Sequence, residues 1–350
     1  MSSIKNAPVD REIAEIFSRF FDGEPAEADV IDTSREEDDF RNTVIITTRG
    51  GEKYVLKFAA NDFTFPEKIR MWQRTVEEYR ALGYYCPRIF ADRNGEFPSV
   101  SRMGRECFVF AEEFSIYRPL EDRASCEEDA PEADSSAYFD DMWAMTAKIA
   151  AKRFDYTEYP SAYCLFETFC PSDEVDEVLE NALEWKKTAD ALPSEFAPQV
   201  QRIWRLWCEN REALKAVYDK LPASVFQADL NSTNLLIGDD GKFKGVYDFN
   251  LSGKDVFLNY LMRENTVDTI PKALLAASRY YEFTEEEKAA ALPMLRCLKA
   301  LWYSRVRELK KAGDDPEKIR GCLDFSEKLL TEEKDLAGFM ERPEESGTGA

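Results

Sequence analysis

The chain has 350 residues and contains no histidine. That excludes Ser–His–Asp and Cys–His nucleophile systems, histidine-ligated zinc and imidazole general bases, so acid–base chemistry near neutral pH falls to a carboxylate, Lys, Tyr or Cys. With 68 acidic against 46 basic side chains the formal charge is −22, which argues against a nucleic-acid partner and leaves plain solubility or attraction for a cationic small molecule.

Hydrophobic residues make up 44% of the chain, enough for a substantial core, and the length suits two domains or lobes. The 8 cysteines are scattered without a C-x-x-C pair, as expected of reduced thiols in a cytosolic protein. No basic-then-apolar leader opens the sequence, and no apolar run approaches the ~20 residues that span a bilayer. A cytoplasmic protein without a membrane partner is the expectation.

In chain order, D-R-E-I-A-E-I-F-S-R-F-F at 10–21 places Ile13, Ile16, Phe17 and Phe20 at helical spacing, with Asp10 as N-cap. The acidic stretch 22–39 reads as loop. β-Branched runs at 43–48 and 53–59 flank Gly50-Gly51 and predict a hairpin. Residues 64–82 predict a long helix. Thr64 and Glu67 have the form of a capping box, Pro66 sits near the first helical position, and Ile69, Trp72, Val76 and Tyr79 form an inward stripe. Short strands are expected at 88–91 and 106–111.

Residues 121–141 hold nine acidic side chains against one basic, Arg123. They read as a solvated loop, or as a wall for a cationic acceptor. Helices at 141–152, 173–189, 198–218, 271–281 and 285–311 follow by pattern, and 341–350 reads as a disordered tail. The expected fold is α+β and two-lobed: a small β-rich nucleotide-binding lobe at 1–112, then a larger, mainly helical catalytic and substrate-binding lobe at 113–340.

The segment 224–253, S-V-F-Q-A-D-L-N-S-T-N-L-L-I-G-D-D-G-K-F-K-G-V-Y-D-F-N-L-S-G, is the most informative. Asp229 stands in a polar loop that ends at Asn234. Strands at 235–237 and 243–247 around G-D-D-G form a hairpin, and Asp248 follows directly. With the turn centred between Asp239 and Asp240, Asn234 falls opposite about Gly245, and Asp248 lies about three residues beyond. Oxygen-bearing side chains then converge at the open end of the hairpin, a set suited to a hard cation and phosphate. Taken singly, Asp229 with Asn231 reads as a turn or cap and Lys57 as a solvated edge residue. The combination is what points to chemistry.

Q-A-D-L-N-S-T-N followed by V-Y-D-F-N resembles the catalytic core of protein-kinase-like phosphotransferases, most closely the aminoglycoside phosphotransferase/choline kinase-like family. That family's loop usually reads H-x-D-L-x-x-x-N, with a strand and I-D-F/W/Y downstream. The resemblance implies Asp229 as catalytic base and Asn234 and Asp248 as Mg²⁺ ligands. It implies Lys57, in Tyr54-Val55-Leu56-Lys57, as the lysine on the nucleotide's α- and β-phosphates. It also implies an interlobe hinge at 108–113, where Phe110 and Glu112 would meet the nucleobase through backbone groups. Glu67 is the favoured partner for Lys57, with Glu77 and Glu78 in the same helix as alternatives.

The co-substrate implied is ATP or GTP, and the acceptor is a hydroxyl of a small, cationic molecule such as an aminoglycoside or amino alcohol. The sequence departs from the family at Gln227, where the histidine would stand, at Ala228 and Asn250, and in having no glycine at 32–42. These departures keep open a catalytically weak or inactive nucleotide-binding scaffold, and nucleotidyl transfer is a third reading. Asp255 resembles the aspartate of the family's segment after the metal site, displaced by one residue.

Overall fold

The computed structural model describes residues 2–35, 38–121 and 135–342. Most of the acidic stretch expected as a loop at 121–141, and all of the tail beyond 342, lie outside the described residues. Backbone contacts divide the chain into two compact units. One holds Met1–Ala137, Cys170–Ser172 and Gln227–Gly253; the other holds Tyr138–Phe169, Asp173–Phe226 and Lys254–Ala350. The sequence reading assigns 227–253 to the second lobe, whereas its contacts group it with the first unit.

The first unit is built on one antiparallel sheet. Its strands are β1 Ser2–Pro8, β2 Pro25–Asp32, β3 Phe40–Thr48, β4 Lys53–Ala60, β5 Ile89–Phe90, β6 Ser99–Arg102 and β7 Arg105–Glu113, in the order β1-β2-β3-β4-β7-β5 with β6 beside β7. Helix α1, Arg11–Phe20, starts at Asp10, whose carboxylate accepts the Ile13 N–H at 2.7 Å. Its inward stripe of Ile13, Ile16, Phe17 and Phe20 packs on Val44, Ile46, Leu56, Phe58, Val109 and Ala111 of the sheet. Burying a side chain of that size contributes about 1.5–3 kcal/mol.

Successive residues of a strand face opposite ways, and directly paired residues share a face. Since Leu56 and Ala111 point to the α1 core, the register pairs Lys57↔Phe110 and Val55↔Glu112 turn Lys57, Phe110 and Glu112 to the other face. Helix α2, Pro66–Ala81, follows, and it buries Ile69, Trp72, Val76 and Tyr79 as expected. The capping box is not formed. The N-cap is Phe65 without a side-chain bond, and Pro66 opens the helix instead, removing one N–H that would need a partner. Glu67 is exposed.

The stretch 22–39, expected as loop, contains β2. Only Ala28 of that strand is buried, so its local pattern is weak, and the strand exists because it pairs with β3 from Pro25 to Asp32. Strands β1 and β6 were not anticipated either.

The remaining part of this unit is a small sheet in which β10, Leu235–Ile237, pairs with both β11, Phe243–Val246, and β8, Arg118–Pro119. A backbone latch holds it to the segment after α2. The Tyr85 N–H donates to Lys244 O at 2.8 Å, and the Val246 N–H donates to Tyr85 O at 3.2 Å. Gly245 permits this approach, since a Cβ there would stand 1.9 Å from Tyr85 O.

The second unit is helical: α3 Phe139–Lys152, α4 Glu177–Asp190, α5 Ala197–Tyr218, α6 Phe257–Glu264, α7 Ile270–Ser278, α8 Glu285–Lys299, α9 Tyr303–Ala312 and α10 Pro316–Thr331. A short pair, β9 Ala223–Phe226 and β12 Gly253–Val256, accompanies them. The single helix expected at 285–311 is two, because Trp302 adopts extended backbone (φ −61°, ψ 157°) as the N-cap of α9. Trp143, Trp185 and Trp207 lie fully buried in this unit. Among the described residues no helix is long and apolar enough to cross a membrane, and the described cysteines are all free.

Candidate active site

Lys57 lies in the middle of β4, with its ammonium 3.1 Å from the Glu112 carboxylate and 3.4 Å from Oδ1 of Asp248. The second contact joins residues 191 positions apart and ties the sheet to the end of the β10–β11 hairpin. Burial opposes the charge on Lys57, but Asp248 and then Glu112 outweigh it and hold the lysine protonated beyond the ordinary ammonium range. Burial also raises the Glu112 carboxyl; Lys57 pulls it back down, and Asp248 pushes it further up.

The polar loop after β9 brings the remaining groups. The side chain of Asp229 accepts from Nδ2 of Asn231 at 2.7 Å. Its carboxyl is raised, first by burial and then by the negative charge of Asp248. Nδ2 of Asn234 donates to the Asp229 carbonyl at 3.1 Å, which fixes the amide. In the hairpin, Leu235 faces Val246 and Leu236 faces Gly245, so Asn234 falls opposite Tyr247, whose N–H donates to Asn234 O at 3.2 Å. The sequence estimate was two residues off: the irregularity between Leu236 and Ile237 shifts the register by one, and the pair Ile237↔Phe243, which centres the turn on Asp240, accounts for the other. Asp248 is therefore one residue beyond Asn234's partner, closer than expected.

Gln227 organises this loop. Its Nε2 donates to the carbonyls of Tyr247 and Asp248, both at 2.9 Å, and its Oε1 accepts the Asp229 N–H at 2.8 Å. Its own N–H donates to the Tyr79 hydroxyl of α2 at 3.1 Å. One amide thus braces Asp229 and Asp248 together. Both loops are conformationally strained: Ala228 (φ 68°) and Asp248 (φ 59°) sit in left-handed backbone, at a cost of about 1–2 kcal/mol each. Such outliers persist where surrounding bonds over-determine them, and here Gln227 supplies those bonds.

The structure brings Lys57, Glu112, Asp229, Asn234 and Asp248 into one unit. It does not bring Glu67 to Lys57, whose ion pairs among the described residues are with Glu112 and Asp248. Glu77 pairs with Arg88 and Glu78 with Arg74. The hinge expected at 108–113 is a ladder strand. Glu112 has Val55 on one side and Ile89 on the other, and Phe110 pairs with Lys57, so their side chains rather than their backbone groups face the site. Phe110 meets Trp72 of α2 edge-on, with ring centroids 6.0 Å apart.

Asp255 belongs to the second unit, where it is buried and accepts from Ser161 Oγ at 2.7 Å and Asn259 Nδ2 at 2.9 Å. The side-chain partnership of Glu112 with Lys57 was missed. The match of Gln227 to a histidine position was the signal for the loop-bonding role its amide takes.

Among the described residues no group of three or more His, Cys, Asp or Glu side chains gathers as a closed metal cage. Asp248 and Asn234 instead offer a carboxylate and an amide oxygen, hard donors that fit Mg²⁺, which binds through one or two such groups and completes its shell with phosphates and water.

A β-sheet region followed by helices, with a D-L-N-S-T-N loop and an aspartate after the next hairpin, is the α+β, two-lobed fold of the protein-kinase-like phosphotransferases. Residues 34–259 match the phosphotransferase enzyme family (APH), and the chain belongs to that family. No curated protein matches the chain. Among solved structures, a microcompartment-associated aminopropanol kinase shares the fold at 14% identity and a TM-score of 0.53, over 91% of this chain and 94% of that one. An amicoumacin kinase in complex with AMP-PNP, Ca²⁺ and its ligand is 12% identical with a TM-score of 0.49, over 92% and 93%. A macrolide 2′-phosphotransferase from Brachybacterium faecium is 11% identical with a TM-score of 0.43, over 92% and 98%.

Proposed function

We propose that the chain transfers the γ-phosphoryl group of ATP to a hydroxyl of a small cationic molecule, of the amino-alcohol or aminoglycoside kind. The observation that carries this reading is the ion pair of Lys57 with Asp248 at 3.4 Å, beside Asp229 and Asn234 on the same braced loop. Lys57 would hold the α- and β-phosphates. Asp248 and Asn234 would hold Mg²⁺, which when bound supplies neutralisation of the phosphate charge. Asp229 orients the acceptor hydroxyl and takes its proton as the acceptor oxygen–phosphorus bond forms and the bond from phosphorus to ADP breaks. The transition state is loose, so the chain's contribution is position and fixed charge. A net charge of −22 favours a cationic acceptor over an anionic one.

The departure at Gln227 does not favour an inactive scaffold, because that amide makes the bonds that hold the loop. The test is an ATP-consumption screen over aminoglycosides, amino alcohols, sugars and nucleosides, comparing wild type with Asp229→Ala. The variant should lose about 10²–10⁴ in turnover while keeping its affinity for Mg·ATP, the range expected on removing a general base. Undiminished turnover would remove Asp229 from the role. A product heavier by a nucleotidyl rather than a phosphoryl group would reassign the reaction.

A further inference from the structure

We propose that Glu112, a strand residue, is the positioning residue that fixes Lys57 for phosphoryl transfer, and that no acid of helix α2 takes this part. The proposal rests on the function proposed above. In protein kinases the corresponding lysine is held by a glutamate of a helix, and placement of that helix decides whether the pair forms. Here the helix in the corresponding chain position is α2, and none of the residues it buries is acidic. Its three glutamates are committed elsewhere or lie in solvent: Glu67 is exposed, Glu77 pairs with Arg88 at 3.1 Å, and Glu78 lies one turn from Arg74 at 3.8 Å. What α2 presents toward β7 is the indole of Trp72 against the ring of Phe110.

Glu112 meets the requirement from the sheet itself. It is 8% exposed, on the same strand and face as Phe110, the residue directly opposite Lys57, and its carboxylate lies 3.1 Å from the ammonium. Both partners are carried by one hydrogen-bonded ladder, so the distance between them is set by the register of β4 and β7 and not by the placement of a helix. Lys57 also touches Asp248. A carboxylate that stays on the lysine leaves Asp248 free to serve the nucleotide's cation without releasing Lys57 to swing. The lysine is therefore pre-organised, and movement of α2 does not switch it.

Three variants compared with wild type test this: Glu112→Gln, Glu112→Asp, and the triple Glu67→Gln/Glu77→Gln/Glu78→Gln. Titration with Mg·ADP reads nucleotide affinity without turnover, steady-state kinetics separates KM from kcat, and thermal melting checks folding. Glu112→Gln should weaken Mg·ADP binding and raise the nucleotide KM by about tenfold or more, with an unchanged acceptor KM and a melting temperature near wild type. Glu112→Asp should recover part of the loss, and the triple variant should match wild type. Nucleotide affinity and KM within twofold of wild type for Glu112→Gln would overturn the proposal, as would the same loss in the triple variant. A wild-type protein that binds no Mg·ADP would instead overturn the proposed function, and the role of Glu112 with it.

Discussion

Among single residues, Gln227 does the work that a chain without histidine must assign to another side chain. A primary amide has two donor hydrogens and an acceptor oxygen. The structure uses both ends: two carbonyls, of Tyr247 and Asp248, and the Asp229 N–H. Gln227→Ala leaves those groups without their partner, at about 1–3 kcal/mol for each buried polar group left unmade. The expected outcome is a kcat lowered by at least about tenfold, because the φ values of Ala228 and Asp248 are no longer enforced. Steady-state kinetics alongside a melting curve checks it, and a wild-type kcat in a folded variant would refute the brace. Asp229, Asn234, Asp248 and Lys57 were legible in the sequence because they sit in short linear patterns. The pairing of Lys57 with Glu112 was not, since it depends on the alignment of β4 with β7, which no local pattern encodes.

At the scale of elements, legibility followed amphipathicity. Helix α1 and its cap, the β3–β4 hairpin and the stripe of α2 were readable because each buries one face with its own periodicity. Strand β2 was not, because its burial barely alternates and its partner supplies the order. The capping-box pattern misled at α2 yet occurs at α8, where Thr284 and Glu287 form the reciprocal pair. Glu287 is fully buried, and burial raises its carboxyl from 4.5 to about 7, against opposing bonds from Thr284 and Tyr281 and the charge of Arg153. A carboxyl raised in the fold binds its proton more tightly there than in the unfolded chain. Its stabilising contribution is therefore present below about 4.5 and lost as pH rises through about 7. The loss is on the order of 3 kcal/mol. Glu287→Gln keeps the capping geometry without the charge. Urea unfolding at pH 5 and pH 8 should show a smaller drop for the variant than for wild type, and equal drops would mean that Glu287 is not the group that titrates.

For the whole molecule, the informative fact is which parts of the chain fold together. The loop and hairpin 227–253 share their contacts with the sheet of the first unit, although 89 residues from 138 to 226 separate them from it, apart from Cys170–Ser172. Chain order could not show this, and a boundary drawn along the sequence assigns the hairpin to the helices. Part of the attachment is backbone to backbone, through Tyr85 with Lys244 and Val246, at Gly245, where strand β11 has no Cβ. Gly245→Ala places a methyl 1.9 Å from Tyr85 O, so the two backbones must part and both hydrogen bonds fail. Two buried hydrogen bonds left unmade cost about 2–6 kcal/mol, enough to open this part of the unit without unfolding the rest. Hydrogen exchange should then quicken at 84–86 and 235–247 and stay at wild-type rates in α8 and α10. Phosphoryl transfer should fall with it, because Asn234 and Asp248 are carried on the loosened hairpin. Uniform acceleration across both units would mean that the latch supports the whole fold, and unchanged exchange at 235–247 would mean that the hairpin is held from elsewhere.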